Sequence, residues 1–214
     1  MLSAKPGQQK TLETAIKNHT QKFHGKDKMR VFQIMSGPGD GMYQLVQGPY
    51  TWAALDSLKL GDAHDLDFDT NISTKTETLT GSTYSQLHPD LSHGSMNFSI
   101  EKSRVVILDV KRGRMDSAIA MIKKLKDAMD KTNDKRDFTV YTKMLSGTSP
   151  QIVLIYRYKD GWAEQEDGNY QSMKNMITAA YSESDWVDWL RMADANIEKQ
   201  EVFLRVYRKD ISSQ

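Results

Sequence analysis

The chain lacks cysteine, long apolar runs and an excess of charge of either sign. Without cysteine there is no disulfide, thiol nucleophile or thiolate metal ligand. No apolar run approaches the roughly 20 residues that cross a bilayer, so no membrane span is predicted. The net charge is +1, and residues 1–95 carry 9 basic and 10 acidic side chains. Neither half therefore has the basic field that non-specific nucleic-acid binding requires.

What is present is the composition of an ordinary globular protein. Of the 214 residues, 38% are hydrophobic and 27% are charged. This length suits one large domain or two small domains of roughly 100 residues each. The absence of cysteine fits a bacterial cytoplasmic protein and an exported protein equally well, so the compartment stays open.

Short motifs recur in the two halves of the chain and predict a tandem repeat. The offset is 106 residues at the first pair and 110 at the other two. We therefore expect two units, residues 1–95 and 96–214. The pairs are Lys5-Pro6-Gly7 with Lys111-Arg112-Gly113, Met35-Ser36-Gly37 with Leu145-Ser146-Gly147, and Trp52-Ala53 with Trp162-Ala163.

The second copy shows the clearer secondary-structure pattern. Four apolar residues at helical spacing (Ala118, Ile122, Leu125 and Met129) predict one buried helix face. β-Branched and alternating stretches predict strands over 104–111, 138–145, 151–158 and 202–208, with a turn at Ser146–Pro150. A helical region over 171–198, broken near residues 182–184, completes a β-α-β-β-α-β order.

The first copy repeats this order more faintly. Leu12, Ile16, His19 and Phe23 predict the helix face, and a glycine-rich turn joins strands over 29–35 and 42–47. Residues 55–80 are polar and predict a weak second helix or an irregular loop. Thr83–Leu87 is the expected last strand. Matching Lys5 to Lys111 places Met1 opposite the middle of a strand, so either this strand is short or further residues, such as a signal peptide, precede Met1.

Each copy predicts a ferredoxin-like α+β unit, whose antiparallel sheet has helices on one face only. Two such units can cover their bare faces by packing sheet on sheet as an internal barrel. The chain resembles the dimeric α+β barrel superfamily in three features: this element order, the Lys-x-Gly after the first strand, and the recurring tryptophan. That superfamily includes antibiotic-biosynthesis-type monooxygenases, NIPSNAP-like proteins and two-unit chlorite dismutases. The resemblance implies a small-molecule pocket between the helices and the sheet.

One difference between the copies suggests where chemistry lies. His19 occupies the helix-face position that Leu125 fills in the second copy. Histidine titrates near neutral pH and serves as a general acid or base. We therefore predict His19 as the catalytic residue, with a half-buried structural histidine as the alternative. The predicted pocket walls are aromatic: Phe23, Tyr43, Trp52, Tyr141 and Trp162. Recurrence of the tryptophan in both copies also fits a role in anchoring the helix to the sheet.

No metal site and no cofactor are predicted from the spacing of the remaining histidines. All five histidines (19, 24, 64, 88 and 93) fall in the first copy, but no His-x-x-x-His or Glu-x-x-His spacing occurs. We expect His24 to complement the end of its helix, and His64 and His88 to lie on the surface. The acidic stretch Asp65–Asn71 lacks the glycine and glutamate of a calcium loop and predicts a solvated loop.

The leading functional prediction is a small-molecule-binding protein with its pocket in the first unit. The resemblance implies cofactor-independent, monooxygenase-like conversion of an apolar or aromatic compound. A non-enzymatic ligand carrier or interaction module is the first alternative, and a haem protein of the chlorite-dismutase type is the second. The sequence leaves open whether the protein is an enzyme and whether it self-associates.

Overall fold

The computed structural model describes residues 1–25, 28–144 and 150–213, in two compact units. Unit 1 comprises Met1–Gly81 and Arg205–Gln214, and unit 2 comprises Ser82–Leu204. The repeated motif at residues 145–147 and most of the predicted turn that contains it lie outside the described residues. The origin of the chain as two copies, 1–95 and 96–214, stays a prediction. No helix in the described ranges is long and apolar enough to cross a membrane.

Unit 1 contains one long helix, a hairpin and a series of short helical turns. A π-helical turn (Phe68–Ile72) and a 3-10 turn (Ser73–Lys75) follow its last α-helix. Its strands pair antiparallel in the order β4-β1-β3-β2. In chain order the elements are β1 (Leu2–Ala4), α1 (Gln9–Phe23), β2 (Met29–Ile34), β3 (Tyr43–Gln47), α2 (Trp52–Ser57), α3 (Asp62–Asp67) and β4 (Thr76–Leu79).

Unit 2 is built from longer elements in a similar order. Its strands β6, β8, β7 and β5 are neighbours in that order, and β9 pairs beside β6. The elements are β5 (Ser85–His93), β6 (Lys102–Val110), α4 (Met115–Lys131), β7 (Asp137–Lys143), β8 (Gln151–Tyr158), α5 (Met173–Ala180), α6 (Glu183–Asn196) and β9 (Ile197–Tyr207). The break between α5 and α6 falls at residues 181–182, next to the one that the sequence predicts.

The fold is mixed α+β, and the described strands are antiparallel, in the order β4-β1-β3-β2-β9-β6-β8-β7-β5. The predicted internal barrel is wrong, because the described strands do not close: β4 and β5 are the two ends of this order. The physical reason lies in the backbone hydrogen bonds. Within unit 1, β2 pairs with β3 on one side and with Arg205–Tyr207 of β9 on the other, so β4 is left as the edge strand.

The first copy departs from its predicted elements in one further place. The polar stretch 55–80 contains the end of α2, together with α3 and β4. The strand expected at Thr83–Leu87 as the last of the first copy is β5 (Ser85–His93), which belongs to unit 2 and pairs with β7. The hairpin agrees with the prediction within one residue at each strand end.

The core of unit 1 forms where α1 lies on its sheet. Leu12 and Ile16 are fully buried, together with Leu2, Val31 and Ile72. Each side chain of this size contributes about 1.5–3 kcal/mol when buried. In unit 2 the four predicted face residues of α4 are likewise buried, against Leu108, Phe138, Val140, Ile152 and Leu154.

Residues 208–213 belong to unit 1 and are hydrogen-bonded to its centre. The Ser212 Oγ accepts from the Val31 backbone N–H at 2.9 Å, and the Ser213 Oγ accepts from the Met29 N–H at 2.8 Å. The Thr20 Oγ1 on α1 donates to the Ile211 carbonyl at 2.9 Å. All of these groups are buried, so the segment satisfies donors on the edge of β2 and ties α1 to the sheet.

We expect Ser212→Ala to lower the free energy of unfolding by about 1–3 kcal/mol, because it leaves the Val31 N–H buried without its acceptor. Chemical denaturation measures this change. Ser82→Ala, at an exposed position, is the control and should leave stability unchanged. Equal stabilities of the two variants would contradict this account of the segment.

Candidate metal centre

Helix α1 carries His19 into the interior of unit 1. Leu12 and Ile16 precede it on the same helix face, because residues three and four apart lie on one side of a helix. The His19 side chain has no exposed surface. A buried imidazole needs hydrogen-bond partners for both ring nitrogens.

A second histidine follows directly where α1 ends. His24 is the C-cap residue, with φ −117° and ψ 29°, and it is fully buried. Five residues of continuous helix would place His19 and His24 about 140° apart around the axis. Because the chain leaves helical geometry at His24, its ring reaches within 5.3 Å of the His19 ring, measured between centroids.

The third histidine comes from the short helix α3. The His64 Nε2 lies 3.2 Å from the His19 Nε2 and 3.3 Å from the His24 Nε2. One ring nitrogen from each of the three histidines lies within 4.8 Å of the other two. Among the described residues, these three side chains are therefore a group that could hold a metal ion. We call His19, His24 and His64 the three-histidine cluster.

Each Nδ1 atom of the cluster has a partner on the outer side of its ring. The Asp67 carboxylate accepts from the His19 Nδ1 at 2.8 Å, and the Asp65 carboxylate accepts from the His64 Nδ1 at 2.8 Å. The Gln47 amide lies 2.8 Å from the His24 Nδ1. Such outer partners fix the orientation and tautomer of metal-binding histidines.

The positions of the protons leave lone pairs facing one another. When the His19 and His64 Nδ1 atoms donate to carboxylates, both Nε2 atoms are acceptors, and they are only 3.2 Å apart. The Gln47 amide can present either its oxygen or its nitrogen, because the two orientations are set by the hydrogen-bond network. With the oxygen towards His24, a third Nε2 lone pair joins the other two. A cation shared by these nitrogens removes their repulsion.

Burial and the aspartate oppose each other at His19. Loss of solvent lowers the pKa of His19, and this outweighs the hydrogen bond that His19 donates to Asp67, which acts to raise the pKa. His19 also lies under aromatic rings, with centroids 5.1 Å away at Phe23 and 5.6 Å away at Phe68. The hydrogen bond from His19 lowers the pKa of Asp67, so the carboxylate stays ionised. The result is a neutral imidazole with an available lone pair.

These distances fit a small metal ion. A metal–nitrogen bond of about 2.0–2.1 Å at tetrahedral angles separates two ligand nitrogens by about 3.3 Å. The His64 pairs at 3.2 and 3.3 Å match this value. The His64 side chain is 12% exposed, whereas that of His19 is enclosed, so the cluster has one side open to solvent.

Among the predicted pocket walls, Phe23 lies beside His19. Phe23 packs against both His19 and His64. Tyr43 is buried in the core of unit 1, where its hydroxyl donates to Glu13 at 2.5 Å; burial, with this hydrogen bond, raises its pKa to about 12. Trp52 is 57% exposed at the start of α2.

The other two predicted wall residues lie in unit 2. Trp162 packs on Tyr158 with ring centroids 5.8 Å apart, and Tyr141 is a half-buried residue of β7. The catalytic role predicted for His19, and a shared pocket with these aromatic residues, stay predictions.

Sequence reasoning missed two members of the cluster and both of its carboxylates. His64, expected on the surface, is half-buried, with 12% of its side chain exposed. The spacings His-x-x-x-His and Glu-x-x-His detect ligands on one helix, whereas these ligands come from α1, from the residue after it and from α3. Two signals were present: all five histidines lie in residues 1–95, and two of the acids in 65–71 are the aspartates that hold the rings.

Comparison with known proteins supports the fold. No protein-family model matches the chain, and no curated protein sequence matches it. A "putative monooxygenase" from Fusobacterium nucleatum has a similar structure, with a TM-score of 0.59, 14% identity and coverage of 97% of this chain and 89% of that one. Another "putative monooxygenase", from Lactobacillus acidophilus, gives a TM-score of 0.56 with 9% identity over 100% and 92% of the two chains. An "anthrone oxidase-like protein" gives 0.50 with 8% identity over 99% and 92%.

We expect the metal-free protein to lose stability as the pH falls below about 6.5, the ordinary histidine pKa. The folded-state pKa of His19 is lowered, so unfolded chains bind a proton first and the stability present above that pH declines. Thermal unfolding in a chelator at pH 8, 6 and 5 measures this. His19→Leu, which introduces the residue found at this position in the second copy, should reduce the dependence of the melting temperature on pH. If this dependence is unchanged in the variant, His19 is not the group responsible for it.

Proposed function

We propose that unit 1 binds one divalent transition-metal ion through His19, His24 and His64, and that the metal centre serves a small-molecule-converting enzyme. The observation that carries this is the convergence of three Nε2 atoms whose Nδ1 atoms are all held by outer partners. Three lone pairs that point at one another repel, so this arrangement is unfavourable unless a cation lies between them.

The ligand set determines the class of metal. Imidazole nitrogen suits Zn²⁺, Cu²⁺, Fe²⁺ and Ni²⁺, whereas Ca²⁺ and Mg²⁺ require oxygen ligands. Asp65 and Asp67 supply oxygen only to the outer sides of the rings, where they raise the basicity of the histidines. Three protein ligands leave a fourth position for water or substrate, which is the arrangement of catalytic sites.

A small aromatic molecule is the ligand that the surroundings favour. The Phe23 and Phe68 rings pack beside His19, and the Phe23 ring is perpendicular to His64 at 5.5 Å. An apolar wall beside a metal with an open position suits a ligand with a ring and one oxygen donor. The names of the structural neighbours suggest reaction with oxygen, and we propose monooxygenase-like activity for this chain with Fe²⁺ or Cu²⁺ as the metal.

We also propose that the fold arose from two ferredoxin-like units. In the order β4-β1-β3-β2 of unit 1, the last strand of the unit lies beside the first, followed by the third and the second. The strands β9-β6-β8-β7 follow the same pattern, with β9 as the last strand and β6 as the first. His19 and Leu125 occupy equivalent helix positions in this comparison, and both are buried. The metal centre would then belong to the first copy alone, because the second copy has Leu125 at the matching position.

A second candidate function rests on the His19–Asp67 hydrogen bond of 2.8 Å. This pair orients a neutral imidazole, which is the form that a general base requires. His19 would then take a proton from an aromatic substrate in a cofactor-independent oxygenation, as the superfamily resemblance implies. The haem alternative is disfavoured, because His64 occupies the space beside the His19 Nε2 that a porphyrin would need.

We expect the wild-type protein to bind one Co²⁺ per chain, with the visible absorbance of a tetrahedral site, and Zn²⁺ to displace it. Loss of an outer partner costs about 10–100-fold in metal affinity, so Asp67→Asn should weaken binding by this factor. His24→Ala and His64→Ala should weaken it further, because each removes a ligand. Titration followed by absorbance measures all four proteins.

His88→Ala is the matched control, since His88 lies outside unit 1 and its Nε2 is 2.9 Å from the Thr142 hydroxyl. It should bind Co²⁺ as the wild type does. Equal affinity of the wild type and the triple variant of His19, His24 and His64 would rule the metal centre out.

Oxygen uptake with a panel of phenols and hydroquinones separates the two candidate functions. If the metal is required, the chelated protein is inactive, Fe²⁺ or Cu²⁺ restores uptake, and His24→Ala abolishes it. If His19 acts as a base without metal, chelation has no effect and only His19→Ala abolishes uptake. No uptake under any condition would favour the ligand-carrier alternative.

A further inference from the structure

Unit 2 contains a cationic side chain on the sheet face that packs against α4. Arg104 precedes Val106 and Leu108 at alternate positions of β6, and those two belong to the core formed with α4. Alternate residues of a strand share one face. In the antiparallel pairing Arg104 lies opposite Tyr156, and Lys102 lies opposite Tyr158. Arg104 and Tyr158 are therefore diagonal neighbours on this face, within reach of a common ligand.

The Arg104 guanidinium has no acidic partner among the residues that the structure describes. Its Nε is enclosed and makes no hydrogen bond with them. The guanidinium instead lies over the Tyr156 ring, 4.6 Å from its centroid. Arg104 is half-buried, and its enclosed Nε without an acceptor is costly.

The Tyr158 hydroxyl is also enclosed without a hydrogen-bond partner among the described residues. The residue as a whole is 4% exposed. Burial raises the pKa of Tyr158, while nearby Arg104 acts in the opposite direction. The hydroxyl therefore keeps its proton and remains available as a donor.

Two unpartnered donors on one face require an acceptor. An anionic oxygen satisfies both, since it pairs with a guanidinium and accepts from a phenol. The neighbouring acid Glu164 accepts from Tyr170, and Asp134 is bound by Arg136. Neither carboxylate forms an ion pair with Arg104 among the described residues, which leaves its Nε open to an anionic oxygen from a ligand.

The walls around these donors are aromatic. Tyr156 lies under Arg104, and Trp162 packs on Tyr158 at 5.8 Å. Tyr158 and Lys102 also border a cleft of about 420 Å³, and Arg104 lies beside it, two residues further along β6 than Lys102 and outside the cleft lining. Lys102 and Lys159 at this cleft outweigh Glu101 and add positive charge.

We propose that Arg104 and Tyr158 form a binding site for a small aromatic molecule that carries a carboxylate. Arg104 pairs with the carboxylate, Tyr158 donates to it, and the ring contacts the aromatic walls. This site lies in unit 2 and does not depend on the metal centre of unit 1.

Benzoate is the probe for this site, and benzamide, which has the same shape without the charge, is the matched ligand control. Calorimetric titration of the full chain should detect binding of benzoate and at least tenfold weaker binding of benzamide. Arg104→Gln should weaken benzoate binding at least tenfold, and Tyr158→Phe should weaken it by a smaller factor. Arg112→Gln, at an exposed arginine, should leave it unchanged.

The melting temperature of the ligand-free variants distinguishes a ligand-binding role of these side chains from a role in stability. A site built for a ligand predicts that Tyr158→Phe leaves the melting temperature unchanged or raises it, because an unpartnered hydroxyl is removed. Benzoate should raise the melting temperature of the wild type and not that of Arg104→Gln. The proposal is overturned if benzoate and benzamide bind alike, if benzoate does not bind, or if Tyr158→Phe destabilises the ligand-free protein.

Discussion

The hydrogen bond between the His19 Nδ1 and the Asp67 carboxylate is the constraint from which the rest of unit 1 follows. A histidine with no exposed surface, on the apolar face of α1, is tolerated only if its donor is satisfied. Asp67 ends α3, so this bond also draws α3 and His64 onto α1. The Asn71 amide donates to the same carboxylate at 3.1 Å from the π-helical turn that follows. One polar contact thus organises a segment that has few buried apolar side chains.

In both units a long helix packs on a sheet, but the residues that cover the helix differ in polarity. In unit 2 the face of α4 is apolar throughout, and α5 and α6 lie against it. In unit 1 the short elements after β3 bury little apolar surface, and histidine rings and carboxylates replace leucine and methionine. In unit 2 the Arg104 Nε and the Tyr158 hydroxyl on the sheet make no hydrogen bond with the residues that the structure describes. A difference in polarity between matched positions is therefore more informative about function than the motifs that match.

The sequence predicts the regular elements well, and the site only in part. Helical periodicity identifies α1 and α4 and their buried faces, because that pattern is local and extends over several turns. The junction of strands through β9 depends on which edges pair, and no local pattern encodes this. His19 stands out because its counterpart is Leu125. His24 and His64 do not, since their approach depends on the backbone leaving helical geometry after Phe23 and on the fold of residues 61–72, which contain several unusual turns in succession.

The hydrogen bonds from residues 208–213 to β2 and α1 have a consequence for the order of assembly. Residues 1–81 leave the ribosome long before the residues that complete their unit, and all of unit 2 is synthesised in between. Until then, the Met29 and Val31 amides lack their serine partners, and Thr20 lacks the Ile211 carbonyl. The part of the protein that holds the histidines is begun first and completed late. Its interior therefore closes only after translation has passed residue 213.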